Sequence, residues 1–193
     1  MVFLQASCPV RILVLMKAVF LDRDGTVDVG TPTYERVDSL EKVVLLPNTL
    51  DAMWRLAQLD YGVFFVTNQA GIAEGLINMA EYAEINNKVL ELLAPSGVRV
   101  LKTYLCPHSE HDGCNCRKPK PKLLLDAAQE YGIDLTASWM IGDRPSDVQT
   151  GINAGTKTIL VKTGVPTVEA PEATYTAPSL LEAVEYIARD TDQ

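Results

Sequence analysis

The chain lacks several things, and each absence removes a class of function. No apolar run approaches the ~20 residues that a membrane-spanning helix needs, so no membrane partner is expected. There is no surplus of basic residues: the formal net charge is -8. Such a chain has no general electrostatic pull toward nucleic acid or anionic lipid, and a phosphorylated ligand would need local cations and a metal. Cysteine is scarce. Of four, three (Cys106, Cys114, Cys116) crowd one short segment, which is not a disulfide scaffold. A chain of 193 residues buries a sufficient core without one. Thiols kept reduced fit the cytoplasm. Internal repeats, low-complexity tracts and linkers long enough to separate domains are also missing.

What remains is one ordinary globular domain, read from Met16 to Gln193 and expected to be a monomer. Residues 1–15, MVFLQASCPVRILVL, read as an N-terminal extension. The stretch is apolar but has neither the basic start nor the small-residue cleavage site of a secretory leader. The alternative is an extra strand or hydrophobic arm. Cys8 within it reads as an ordinary thiol.

Short apolar runs rich in β-branched and aromatic residues predict strands over Lys17–Asp22, Gly62–Asn68, Val98–Cys106, Ser138–Asp143 and Thr158–Lys162. Between them, helical spacing predicts a helix after Pro47 (Leu50, Met53, Trp54, Ala57). Further helices are predicted over about Met79–Leu93 with Asn78 as cap, Lys122–Gly132, and about Ser146–Ala154. Ser179 and Glu182 form a capping-box pattern opening a last helix to about Arg189. Residues Gly25–Leu46 should be loop with small strand pieces. Strands alternating with helices predict an α/β fold: a Rossmann-like parallel sheet with helices on both faces. Ligands bind such sheets at the carboxyl ends of the strands. Asp22, Thr67-Asn68 and Asp143 all fall there.

Asp22 and Asp24, one residue apart, repel each other unless a cation or shared proton compensates. Mg²⁺ is the natural compensator, because it prefers oxygen ligands in octahedral geometry, and Asp143 would add another oxygen. Acids and a metal at strand ends suit phosphoryl chemistry, where positioning and charge neutralisation carry most of the catalysis.

Four segments carry a resemblance: DRDGTV (Asp22–Val27), VTNQAGIA (Val66–Ala73), CRKPKP (Cys116–Pro121) and GDRPSD (Gly142–Asp147). In this order they resemble the motifs of the haloacid-dehalogenase (HAD) superfamily of phosphohydrolases. Any one alone would be a solvated turn or cap; four in order are not. The resemblance implies that Asp22 is a nucleophile forming an aspartyl-phosphate and that Asp24 is general acid, then base. It also implies Mg²⁺ held by the Asp22 and Asp143 side chains and the Asp24 backbone carbonyl. Thr67 and the Asn68 backbone would bond the phosphoryl oxygens, and Lys118 would balance charge. Asp147 would hold either a metal-bound water or Lys118.

CPHSEHDGCNC (Cys106–Cys116) offers three thiols and an imidazole: Cys106, His108, Cys114 and Cys116. That set suits a closed, structural, tetrahedral Zn²⁺ site. His111 is an alternative ligand, and a polar loop with incidental thiols is the competing reading. With this ribbon directly before Arg117 and Lys118, the chain resembles the zinc-containing HAD group of D-glycero-D-manno-heptose-1,7-bisphosphate 7-phosphatases and histidinol-phosphate phosphatases. Arg117 would grip a phosphate or polyol in a fork. Arg23 is a candidate substrate contact, with a surface ion pair as its other reading. Lys122-Leu123, where the heptose group has Gly-Met, and PTYERVDSLEKVVLLP (Pro32–Pro47) lean toward histidinol phosphate. TNQAGIAEG (Thr67–Gly75) leans toward the heptose.

No segment is long enough for a large cap domain, so short loops and the ribbon should roof an open cleft. The expected function is a Mg²⁺-dependent phosphomonoester hydrolase with a structural Zn²⁺, acting on a small sugar bisphosphate, heptose 1,7-bisphosphate first. Histidinol phosphate is the alternative substrate. A non-catalytic zinc-loop interaction module is the alternative from another class, and the intact acids argue against it. A DNA-end phosphatase is set aside because the only basic cluster is Arg117–Lys122.

Overall fold

The computed structural model describes residues 15–29, 37–164 and 168–191. The expected N-terminal extension therefore lies, apart from Leu15, outside the described residues. Six parallel strands form one sheet in the order β3-β2-β1-β4-β5-β6. They are β1 Ala18–Leu21, β2 Gly62–Asn68, β3 Val100–Cys106, β4 Trp139–Gly142, β5 Lys157–Val161 and β6 Tyr175–Ala177. The helices are α1 Thr49–Leu56, α2 Ala70–Ala73, α3 Met79–Leu93, α4 Lys122–Tyr131, α5 Pro145–Ala154 and α6 Leu180–Thr191.

The period-2 alternation of β1 explains the layers. Val19 and Leu21 join Val63, Phe65 and Ile141 in one core, closed by Met53, Ile85 and Val184 from α1, α3 and α6. Ala18 and Phe20 face the other way, with Phe64, Val66 and Met140, against Leu124 and Ala127 of α4. Burying one such side chain stabilises the fold by roughly 1.5–3 kcal/mol. Both faces are therefore apolar, as the near-continuous hydrophobic strands require.

The predicted elements are present, and two were not foreseen. The short β6 is three residues long and is defined by its pairing with β5, not by any pattern of its own. The four-residue α2 lies inside the TNQAGIA segment. On α1, the buried residues are Thr49, Ala52, Met53 and Leu56, whereas Leu50 and Trp54 face outward. The helix expected from the spacing is present, and only part of that apolar set is buried. Asn78 caps α3 in a complete capping box. Ser179 bonds Glu182 side chain to side chain and accepts from the Leu181 N–H at 3.2 Å, a variant of the expected box. In the loop after β1, bridges Asp24–Asp28 and Asp28–Leu45 supply the small strand pieces; residues 30–36 lie outside the described residues.

The chain runs from β1 outward to β2 and β3, then crosses back to β4 on the other side of β1. That reversal opens a crevice at the carboxyl ends of β1 and β4, the switch point where such sheets bind ligands.

Candidate active site

The register places the acids. Leu21 lies opposite Ile141, and the Asp22 N–H donates to the Ile141 carbonyl at 2.9 Å. Asp22, just past β1, and Asp143, just past β4, therefore emerge together. Lys118 arrives on the loop after the cysteine ribbon. Asn68 anchors that loop: its Oδ1 accepts from the Lys118 N–H at 3.1 Å and its Nδ2 donates to the Lys118 carbonyl at 3.3 Å.

The Lys118 ammonium donates to Asp22 Oδ1 at 2.6 Å and to the Val66 carbonyl at 2.8 Å, and it forms an ion pair with Asp147 Oδ1 at 2.6 Å. Burial alone would lower its pKa; Asp147 and Asp22 outweigh that and hold it charged. Asp147 Oδ2 accepts from the Arg144 N–H at 3.0 Å, so this residue also ties down the start of α5. Of the two roles expected for Asp147, contact with Lys118 is the one seen.

Asp143 is 1% exposed, and its Oδ1 has no hydrogen-bond partner among the described residues. Burial, then the neighbouring Asp22 and Asp147, push its pKa up to about 8. Lys118 and the exposed Arg144, 3.9 Å away, partly offset this. Oxygens of Asp22, Asp143 and Asp147 all lie within 4.8 Å of one another. A Cβ on Gly164 or Gly25 would come to 2.0 Å or 2.6 Å from Asp143 Oδ2, so both glycines keep the space around that carboxylate open. An under-compensated buried acid in a glycine-lined cradle fits a hard dication.

Asp24 sits on the wall of a 470 Å³ cavity shared with Asp22, Asn68, Lys118, Asp143 and Asp147. The ribbon contributes Ser109, Glu110, Gly113 and Cys114, followed by Arg117. The expected roof of short loops is thus present on the ribbon side. Thr67 lies just beneath, 1% exposed, with its Oγ1 2.8 Å from Gln69 Nε2.

Arg23 corrects an expectation. It is neither a substrate contact nor a surface pair: it is wholly buried, and the cavity does not include it. Its Nη2 lies 2.7 Å from Asp24 Oδ1, its Nε lies 3.4 Å from Asp28 Oδ2, and its guanidinium stands 5.6 Å from the Tyr82 ring centre. The N–H groups of Thr26, Val27 and Asp28 all return to the Arg23 carbonyl, a tight turn that closes over the side chain. Residues that sequence reasoning passed over are Gln69, which bonds both Asp24 and Thr67, and Arg144 and Gly164 at the cavity edge. Gln69 and Arg144 stood inside quoted motifs; only their neighbours in space reveal a role.

In the ribbon, Cys106 ends β3 and the other three ligands come from the following turn. Cys106 Sγ lies 3.1 Å from Cys116 Sγ and 3.6 Å from both Cys114 Sγ and His108 Nδ1. Cys116 Sγ lies 3.3 Å from His108 Nδ1 and 3.7 Å from Cys114 Sγ. A tetrahedral ion bonded at about 2.3 Å to sulfur and about 2.0 Å to nitrogen needs edges of about 3.5–3.8 Å. The donors therefore fit Zn²⁺ with small adjustments. Without a metal, burial and then the Cys116 thiol push Cys106 up to about 12; a dication would reverse this. His111 is exposed on a short 3-10 turn and lies outside the cluster. Arg117 Nη1 donates to the His108 carbonyl at 3.2 Å, so the ribbon and the cation-bearing loop move as one piece.

A parallel sheet with acids and a buried lysine at its switch point, and a thiol-imidazole cluster beside them, is the architecture of a HAD-type phosphohydrolase. Comparison agrees. A family model for HAD-hydrolase-like proteins matches residues 115–183. The D-glycero-beta-D-manno-heptose-1,7-bisphosphate 7-phosphatase of Bordetella bronchiseptica is 40% identical over 149 residues, 77% of this chain and 82% of that protein. The enzyme of the same name from Haemophilus influenzae is 36% identical over 182 residues, 90% and 97% of the two chains. A crystal structure of D,D-heptose 1,7-bisphosphate phosphatase from B. bronchiseptica, complexed with magnesium and phosphate, superposes with a TM-score of 0.83 at 36% identity. It covers 91% of this chain and 99% of that one. The chain belongs to the family of the D-glycero-beta-D-manno-heptose-1,7-bisphosphate 7-phosphatases within the HAD hydrolases.

Proposed function

We propose that this protein is a Mg²⁺-dependent phosphatase that removes the 7-phosphate of D-glycero-beta-D-manno-heptose 1,7-bisphosphate. The observation that carries the reading is Lys118 bridging Asp22 and Asp147 beside the under-compensated Asp143. The substrate is that named for the relatives above. Histidinol phosphate, suggested by Lys122-Leu123, gains no support from them.

The resemblance implies the following roles, and the geometry is compatible with them. Lys118 occupies Asp22 Oδ1, which leaves Oδ2 for attack on phosphorus. The new Asp22–phosphorus bond forms as the phosphorus–ester oxygen bond breaks. The electron pair leaves with the sugar oxygen, which takes a proton from the Asp24 carboxyl group. In the second half, water attacks phosphorus, Asp24 takes the water's proton, and Asp22 leaves as a carboxylate with inorganic phosphate released. Thr67 and the Asn68 backbone, at the end of β2, are assigned to the phosphoryl oxygens. Arg117 reaches the cavity from the ribbon and is assigned to the substrate's remaining polar groups. The side chains of Asp22 and Asp143 and the Asp24 carbonyl would hold Mg²⁺, which when bound neutralises charge on the phosphoryl oxygens. Zn²⁺ on Cys106, His108, Cys114 and Cys116 would fix the ribbon.

Reduced, metal-ligating thiols support a cytoplasmic enzyme, and no helix among the described residues is long and apolar enough to cross a membrane. We further read the chain from Met16 as one monomeric domain with no nucleic-acid partner, supported by the net charge of -8. The test is a phosphate-release panel with Mg²⁺: both anomers of the heptose bisphosphate, histidinol phosphate, other sugar phosphates and a DNA 3′-phosphate. The beta anomer should give the highest kcat/KM; a higher value for histidinol phosphate or the DNA end would reassign the substrate.

A further inference from the structure

Asp24 is gripped from two sides. Arg23 Nη2 donates to Oδ1 at 2.7 Å, and Gln69 Nε2 donates to Oδ2 at 2.6 Å. The second hydrogen of the Gln69 amide meets Thr67 Oγ1 at 2.8 Å. Both amide hydrogens are thus committed, and the amide has one orientation. Gln69 is 5% exposed, while the Asp24 side chain is 27% exposed at the cavity wall. A carboxyl group at that exposure would otherwise rotate freely about two bonds, and proton transfer demands a donor held within hydrogen-bond reach of the oxygen it serves.

We propose that Gln69 is a positioning residue that fixes the Asp24 carboxyl group for proton transfer to the leaving oxygen. This rests on the assignment of Asp24 as acid and base. Each carboxyl oxygen has two lone-pair sites. One donor on each leaves one site on each, and those sites serve the cavity.

The rest of the cluster supports a purpose beyond stability. Arg23, the other half of the clamp, is a fully buried cation opposed by the equally buried Asp28 and stacked near Tyr82. Buried ion pairs of this kind are seldom more stabilising than apolar packing of the same volume. Holding Asp24 gives the pair a reason to be there. The two clamping residues also come from different strands: Arg23 follows β1 and Gln69 follows β2. The acid is therefore referenced to the same two strand ends that carry the nucleophile and Thr67.

Leaving-group dependence tests this. An alkyl phosphate needs its leaving oxygen protonated; p-nitrophenyl phosphate leaves as a stable phenolate and needs little help. The parameter is kcat/KM, which reports the steps through phosphoryl transfer to Asp22. Gln69→Ala should lower kcat/KM for the heptose bisphosphate by about 10²-fold, within the range that general acid catalysis contributes. For p-nitrophenyl phosphate the loss should stay under about fivefold by the same reasoning. Gln69→Leu, which fills the space without a donor, should show the same selective loss. Equal losses on both substrates, recovery in the leucine variant, or no loss at all would each overturn the proposal. Asp24→Asn is measured alongside. A selective loss there with none in the Gln69 variants sinks the positioning role alone; an unselective loss in Asp24→Asn removes the acid assignment beneath it.

Discussion

Asp22 has one oxygen bonded to a buried lysine, and in the proposed mechanism the other attacks phosphorus. Lys118 donates to Asp22 and the Val66 carbonyl and pairs with Asp147, so its charge is opposed by two buried carboxylates. Replacing Asp22 by Asn keeps the shape and removes the nucleophile. Asp22→Asn should therefore lose on the order of 10⁴-fold or more in turnover, while its circular dichroism and melting temperature stay near those of the parent. Turnover within tenfold of the parent would remove the nucleophile assignment. The positions of Asp22, Asp24 and Asp143 were legible because their motifs follow strand ends, and that of Lys118 because its motif directly follows the cysteine ribbon. The position of Arg23 was not. A cation between two acids suggests a ligand contact, and only the turn that closes over its side chain shows that it points inward.

At the scale of elements, the ribbon between β3 and α4 has little apolar material of its own and is organised by its donors. Arg117 bonds the His108 carbonyl and Lys118 follows directly, so loosening the ribbon should move both cations. The purified protein should carry about one equivalent of zinc. Cys116→Ser should lose most of that zinc, melt several degrees lower, and drop in activity about tenfold or more, as disturbed metal shells commonly do. Elemental analysis with a thermal melt checks this, and a variant that keeps its zinc and its melting temperature would refute the ribbon assignment. Strands β1 to β5 and the longer helices could be read from apolar runs and caps because those patterns are local in sequence. β6 could not, since three residues of ordinary composition become a strand only by pairing with β5. The buried face of α1 is likewise set by its tertiary neighbours. Leu50 and Trp54 look like core residues, but the sheet and α6 lie against Ala52, Met53 and Leu56.

For the whole molecule, the decisive feature is the crossover that returns the chain from β3 to β4 on the far side of β1. It brings Asp22 and Asp143, 121 residues apart in the chain, into one crevice without a cap domain. Gathering acids in a molecule of net charge -8 leaves Asp143 under-compensated. Activity should vanish when Mg²⁺ is removed by gel filtration and return when it is added back, with the zinc content unchanged throughout. Mg²⁺ should also raise the melting temperature by preferential binding to the folded state. Full turnover in Mg²⁺-free buffer would defeat the metal-centred reading.

By itself, the order of residues determined the class of fold, the family and the candidates for the reacting groups. These depend on local pattern: apolar periodicity, strand-ending motifs, and donors spaced closely enough to share an ion. The tertiary structure alone decided which way Arg23 points, that Asp147 holds Lys118, and that Gln69 grips Asp24. Those contacts join residues from separate strands and loops, and their geometry comes from strand order, register and turn closure, which no local stretch encodes.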